Sequence, residues 1–204
     1  MPDAGTAAND RAVEGVVDFL TLAERLKREL RHSWLSDGRQ ESVAEHTWMM
    51  STAAVMLAPL LETPVDLGHT LKLITLHDIA EAITGDIPFF EDSPRKATKA
   101  ENEAKAMATL AATLPAPSAA LLLTLWQEYE DAHTPEAKFA RALDKLEVQL
   151  QHNLADIATW TPVEFGLVHS KMDAECAHDA TLRAVLSVIR GQAEAKMARA
   201  DRDR

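Results

Sequence analysis

The feature that most constrains this fold is a group of ionisable residues set inside apolar helical text. Leu71-Lys72-Leu73-Ile74-Thr75-Leu76 reads as a helix with a buried face, and it runs directly into His77-Asp78-Ile79-Ala80-Glu81-Ala82-Ile83-Thr84-Gly85-Asp86. A carboxylate and an imidazole side by side in a core are costly unless one partner satisfies both. A divalent cation is such a partner. Two more interruptions of this kind occur. His46 shares its helical face with Met49, Met50 and Ala53, and Asp144 lies between Ala140 and Val148 at four-residue spacing. Singly, such a His is ordinarily a core residue bonded to a carbonyl, and such an Asp a half-exposed residue paired with Lys145 or Arg141. Together, His46, His77, Asp78 and Asp144 supply two imidazoles and two carboxylates from three apolar helix faces. A mixed nitrogen and oxygen set without thiolate suits manganese, iron, cobalt or zinc in a site with open positions.

The rest of the chain reads as helices. With only seven glycines among 204 residues and abundant Ala, Leu, Glu and Lys, the composition favours an all-α fold. Apolar positions at Val16, Val17, Leu20, Ala23 and Leu26 recur with helical period and predict a helix over 14–30. Ser36 to Arg39 reads as a turn. Ser42-Val43-Ala44-Glu45 matches a capping box, opening a helix over 42–58 that Pro59 and Pro64 terminate. Further helices are expected over 66–83, with Gly85 as the stop, then 95–114, 118–131, 134–158 and 173–198. Thr134-Pro135 supplies a cap followed by Pro at the first helical position. The domain reading is one domain over 13–198, a disordered start over 1–12 and a frayed tail over 199–204. No repeat or low-complexity linker is present.

The net charge of −11 argues against a nucleic-acid duplex or an anionic membrane as partner, since both require a basic surface. A small phosphorylated ligand needs only a few local donors and stays open. Cys176 is the single cysteine, which excludes an intrachain disulfide and fits the cytoplasm. The polar start has no signal-peptide pattern, and the apolar run before Pro59 is too short to span a bilayer.

The order His, His-Asp, distant Asp resembles the HD-domain metal-dependent phosphohydrolases, which implies a compact multi-helix bundle. The surrounding text is similar to the 5′-deoxynucleotidase branch: Glu41-Ser42-Val43-Ala44-Glu45-His46, His77 to Glu81 with Gly85-Asp86-Ile87-Pro88, Leu125 to Glu130, Pro135 to Phe139, and Leu143-Asp144-Lys145. The resemblance covers about residues 15–155; after Trp160 no motif is readable. It implies that His46, His77, Asp78 and Asp144 hold one divalent transition metal ion per chain (cobalt, manganese, iron or zinc). It also implies that Glu81 is the catalytic carboxylate and Asp86 a further acid that acts in catalysis and on the substrate. Arg31, Trp34 and Glu128 would bind substrate, with Glu130 as the alternative to Glu128 at the sugar. The reaction implied is hydrolysis of nucleoside 5′-monophosphates, with a preference for the deoxy sugar; relatives are commonly oligomeric, and a homodimer is the partner considered.

Two other classes compete. Glu130-x-x-His133 and Glu175-x-x-His178 both fit the ligand pattern of di-iron bundles, which would make the chain an oxidoreductase. His133 abuts Thr134-Pro135, where the helix has ended, and this weakens the pattern. A non-catalytic nucleotide-binding module would have lost a ligand or the catalytic acid, and neither is missing. Within the superfamily, another nucleotide or small phosphoester is the alternative substrate. Trp126, Tyr129 and Phe139 read as core. Arg95, Lys96 and Lys99 read as a solvated helix face beside a loop that could bring one of them to phosphate. His69, His152 and His169 have no constellation around them.

Overall fold

The computed structural model of the chain describes residues 4–202. The fold is all-helical apart from one two-stranded hairpin. In chain order the elements are α1 (Ala4–Ala23), β1 (Leu30–Trp34), β2 (Gln40–Ser42), α2 (Val43–Leu57), α3 (Leu67–Leu76), α4 (Glu81–Thr84), α5 (Pro94–Ala97) and α6 (Lys99–Thr113). They continue with α7 (Ala116–Asp131), α8 (Pro135–Leu154), α9 (Pro162–Leu167), α10 (Asp173–Cys176) and α11 (Ala180–Arg202), and short 3₁₀ turns join several of them.

Local chemistry sets most helix starts. Ser42 Oγ accepts from the Glu45 amide at 3.2 Å, and Glu45 Oε2 accepts from the Ser42 amide at 2.8 Å, completing the capping box of α2. Arg39 clamps the same carboxylate at 2.6 Å and is the main cause that holds Glu45 down at about 2. Thr134 Oγ1 accepts from the Ala137 amide at 3.2 Å and opens α8, with Pro135 in the first turn. Such caps are worth about 1 kcal/mol each.

Several expectations are corrected. α1 begins at Ala4, within the stretch 1–12; residues 1–3 lie outside the described residues. The helix expected over 14–30 ends at Ala23, and residues 30–34 instead pair antiparallel with β2, Trp34 opposite Gln40. α11 continues to Arg202, so the expected tail is helical up to there, and 203–204 lie outside the described residues. The helix expected over 66–83 breaks at the His-Asp motif. The amides of Ile79, Glu81, Ala82 and Ile83 bond three residues back, to Leu76, Asp78, Ile79 and Ala80. This tightened turn brings residues three apart into line, and Asp78 and Glu81 both line the same cavity.

Two apolar cores meet at this break. One packs Met50, Leu73, Ile74, Phe139, Leu143 and Leu186 from α2, α3, α8 and α11. The other packs Leu26, Val43, Ile79, Met107 and Leu110. Leu76 touches both. Burying one such side chain contributes about 2 kcal/mol, so the helices carrying His46, His77 and Asp144 are firmly seated on each side of the seam.

Candidate metal centre and its cavity

The donor atoms of His46, His77 and Asp144 all lie within 4.8 Å of one another, one each from α2, the end of α3, and α8. Both imidazoles are buried, and their rings are 5.5 Å apart. His77 Nδ1 donates to the Ile74 carbonyl at 2.7 Å, and His46 Nδ1 donates to Glu147 Oε2 at 2.5 Å. Each ring therefore spends its proton on the outer nitrogen and turns Nε2 inward. Neither Nε2 has a hydrogen-bond partner. Asp144 Oδ1 is 3.4 Å from His46 Nε2, and Asp78 Oδ2 is 2.9 Å from His77 Nε2 without hydrogen-bond alignment. Two orphaned imidazole nitrogens beside two carboxylates fit a divalent cation, which needs neutral imidazole donors oriented by just such outer bonds.

The charges agree with that fit. Burial and the Arg31 charge press His46 toward its neutral form, but Glu147 and Asp144 outweigh them and hold its pKa up to about 9. Against burial, Lys145 and His46 hold Asp144 well below the usual carboxylate range, and His77 and Arg31 do the same for Asp78. Lys145 Nζ donates to Asp144 Oδ2 at 2.6 Å, and Tyr129 Oη donates to the same oxygen at 3.3 Å.

The cluster opens onto a cavity of about 230 Å³. Arg31, on β1, reaches across from the hairpin; its Nη1 donates to Asp78 Oδ2 at 3.3 Å and lies 4.0 Å from Asp86 Oδ1. Glu81 is buried, with Oε2 unpartnered and Oε1 3.9 Å from Lys99 Nζ. Burial first, then the charges of Asp78 and Asp86, push the Glu81 carboxyl well above its ordinary range. Asp86 is raised in the same way, mainly by burial. Gly85 aims it: the backbone there has φ of 73°, and an added Cβ would meet Glu29 Oε1 at 3.0 Å. That Glu29 oxygen accepts from the Asp86 amide at 2.9 Å.

Two expected substrate residues are not brought to the cavity. Trp34 packs edge-on against His32, and its carbonyl accepts from Gln151 at 2.6 Å. The aromatic lining is His32, Phe89 and Phe90 instead, and β1 carries a register irregularity between Leu30 and Trp34, so simple alternation does not set which of its side chains face the cavity. Glu128 is held by His69 at 2.8 Å and by Thr134 at 2.7 Å, which ties it to the α7–α8 connection. The exposed Glu130 does not line the cavity either.

Sequence reasoning missed several neighbours. Glu147 stands one helical turn after Asp144, and Glu41 lies behind His46, its pKa pushed up to about 8 by burial and the Glu147 charge. The i,i+3 spacing from Asp144 was the available signal for Glu147. Lys96, Lys99, Lys145 and Lys171 line the cavity, as do His152 and Glu164, the latter from the region without motifs. Of the face read as solvated, only Arg95 turns away, to Glu91. Tyr129 is core as expected and also touches Asp144. Among the described residues, neither Glu-x-x-His pair forms a metal-holding group, and Glu175 instead pairs with Arg141 at 3.2 Å.

A helical bundle that gathers inward-facing imidazole nitrogens and carboxylates under an arginine is the frame of a metal-assisted hydrolase. The chain belongs to the HD-domain family: the HD domain profile matches residues 23–183. It is 36% identical over 143 residues to 5′-deoxynucleotidase HDDC2 of Bos taurus, covering 69% of this chain and 68% of that one. Identity to 5′-deoxynucleotidase hdd1 of Schizosaccharomyces pombe is also 36% over 143 residues, covering 67% of this chain and 70% of the relative. A crystal structure from Magnetospirillum magnetotacticum, described as a predicted metal-dependent phosphohydrolase, superposes with a TM-score of 0.76 at 32% identity over 95% of both chains.

Proposed function

We propose that this chain is a metal-dependent nucleotide phosphohydrolase that removes the 5′-phosphate from nucleoside 5′-monophosphates and prefers the deoxy sugar. The observation that carries the reading is the convergence of His46 Nε2, His77 Nε2 and Asp144 below Arg31 and a buried Glu81 in one cavity. The activity named for the relatives from Bos taurus and Schizosaccharomyces pombe supports the substrate class.

In this reading His46, His77, Asp78 and Asp144 hold one divalent ion, with cobalt, manganese, iron and zinc all suited to the donor set. Such an ion supplies Lewis acidity toward phosphate and activates water. Arg31 adds a guanidinium fork to the phosphate oxygens where charge spreads in the transition state. Glu81, whose carboxyl burial pushes above its ordinary range, delivers a proton to the leaving 5′-oxygen. Asp86 keeps Arg31 aimed and faces the substrate. His32 and Phe90 are the flat surfaces available to the nucleoside, and neither imposes a base-specific code.

The reading also includes one domain over 13–198, a cytoplasmic setting, no nucleic-acid partner, and a homodimer formed through the exposed Trp48, Met56 and Leu60 along one side of α2 and the turn after it. Among the described residues no helix is long and apolar enough to cross a membrane.

The test is phosphate release from a panel of nucleotides with each of the four metals. Turnover of dAMP with kcat/KM well above that of AMP is expected. Equal values would remove the deoxy preference. Turnover of some other phosphoester, with no nucleoside monophosphate hydrolysed, would remove the substrate assignment.

A further inference from the structure

Four lysines face the cavity of a chain whose net charge is −11, and they come from four different parts of it: Lys96 on α5, Lys99 on α6, Lys145 on α8, and Lys171 between α9 and α10. Two of them are occupied. Lys145 bonds Asp144 at 2.6 Å, and Lys99 lies 3.3 Å from Glu103 and 3.9 Å from Glu81. The other two differ. Among the described residues neither Lys96 nor Lys171 makes a salt bridge. Lys96 Nζ donates only to the Pro88 carbonyl, at 3.4 Å. Both ammonium groups converge on the ring of Phe89, at 5.5 and 3.0 Å from its centroid. Phe89 is 56% exposed, so this pair sits at the mouth of the cavity.

One cation over a ring is a sufficient clamp for a loop. A second, brought in from another element and left without a carboxylate, adds only repulsion. Its surroundings disfavour the charge on Lys171: burial first, then the Lys145 charge and to a lesser degree Lys96, bring its pKa down to about 8. Half-buried cations are retained at such a price where an anion joins them. The scissile phosphate does not call for them, because the functional reading already gives it the Arg31 guanidinium at the floor.

We propose that Lys96 and Lys171 form a second anion subsite at the cavity mouth, which takes a second phosphate group on the nucleotide. The inference rests on the functional reading above and extends its substrate class to nucleotides that carry a second phosphate. Hydrolysis then adds water across one phosphate bond. A new P–O bond forms to the water oxygen, the bond to the leaving oxygen breaks, and that oxygen keeps a proton. The phosphate held by Lys96 and Lys171 is retained. The second group lies either on the 3′-oxygen, where it stays on the nucleoside when the 5′-oxygen is the leaving oxygen, or on the 5′-oxygen of a 5′-diphosphate, where it stays when the terminal phosphate is cut at the bridging oxygen; both present anionic oxygens to the two lysines.

The experiment compares deoxyadenosine 3′,5′-bisphosphate, dADP and dAMP on the metal-loaded protein, by calorimetric binding and by phosphate release. At least one doubly phosphorylated ligand is expected to bind about tenfold tighter than dAMP, the size of one charge-assisted hydrogen bond. The arm that shows the gain identifies the position of the second group. In the K96A/K171A protein the ratio should fall toward one, and K96R/K171R should restore it. Equal binding of all three ligands, or a ratio unchanged by K96A/K171A, overturns the subsite. Because binding is read apart from turnover, absence of dAMP hydrolysis would count against the functional reading alone.

Discussion

The floor and the mouth of the cavity are built on opposite plans. At the floor, His46 and His77 are buried and Asp144 largely so, each fixed on a long helix or its end by a core residue one turn away. Their outer atoms are tied to Glu147 and to the Ile74 carbonyl, and what is left free points inward. At the mouth, Phe89 rides an irregular segment between α4 and α5, and the cations around it come from one short helix and one connection. The floor concentrates negative charge and lone pairs; the mouth concentrates positive charge. Geometry within a few tenths of an ångström matters where a cation is bound, and the candidate ligands of the proposed centre sit on rigid helices. Admission and retention of an anion tolerate looser placement, so loops suffice.

The largest expected effect tests the floor. Asp144→Ala should lose stoichiometric metal and lower kcat by about a thousandfold or more, since Lys145 then remains beside the two imidazoles without its counterion. Metal analysis together with circular dichroism reads this: full metal content and full turnover would end the ligand assignment. Next comes the acid between floor and mouth. Glu81→Gln should keep the metal and bind substrate, yet lower kcat by about 10²–10⁴-fold, the usual worth of a positioned proton donor. Loss of metal from this variant would make Glu81 a ligand instead.

A smaller effect separates the ligands from their support. Glu147→Gln keeps an acceptor for His46 Nδ1 but removes the charge, and metal affinity should drop about 10- to 100-fold while saturating metal restores turnover. An unchanged affinity would show that Glu147 does not orient His46.

The smallest effect is on pH dependence. Glu41 has its pKa raised to about 8 by burial and by Glu147, so the folded protein keeps its proton where the unfolded chain releases it. Its contribution to stability is therefore complete below the ordinary value and is lost as pH rises through about 8. In Glu41→Gln, metal-free stability should fall less steeply between pH 5 and 8, the parent slope being at most about 1.4 kcal/mol per pH unit for one proton. Urea denaturation across that window checks it, and parallel pH profiles for the two proteins would place the proton elsewhere.

The helical class and most helix ends were legible because they depend on local chemistry. Ser42 with Glu45, Thr134 with Pro135, and Gly85 act within a few residues of themselves. His46, the His77-Asp78 pair and Asp144 were legible for a related reason: polar groups stand out against a periodic apolar face. The hairpin was not, since Leu30-Arg31-His32-Ser33-Trp34 has no clear alternation and earns its strand only by pairing with residues 40–42. The break in the helix after Leu76 escaped as well, because nothing between Leu76 and Ile83 is a helix breaker and the tightened turn is imposed by packing at the seam of the two cores.

The sequence by itself marked nitrogen and oxygen donors on the apolar faces of separate helices as groups in need of partners, because burying them unpaired is costly. Only the tertiary structure decided what surrounds them. It put Glu147 and Glu41 behind His46, and four lysines, His32 and Glu164 around the cavity, while holding Trp34 and Glu128 out of it. Those placements depend on side chains far apart in the chain packing against one another, and apart from the three-residue step from Asp144 to Glu147 no local spacing records such a meeting.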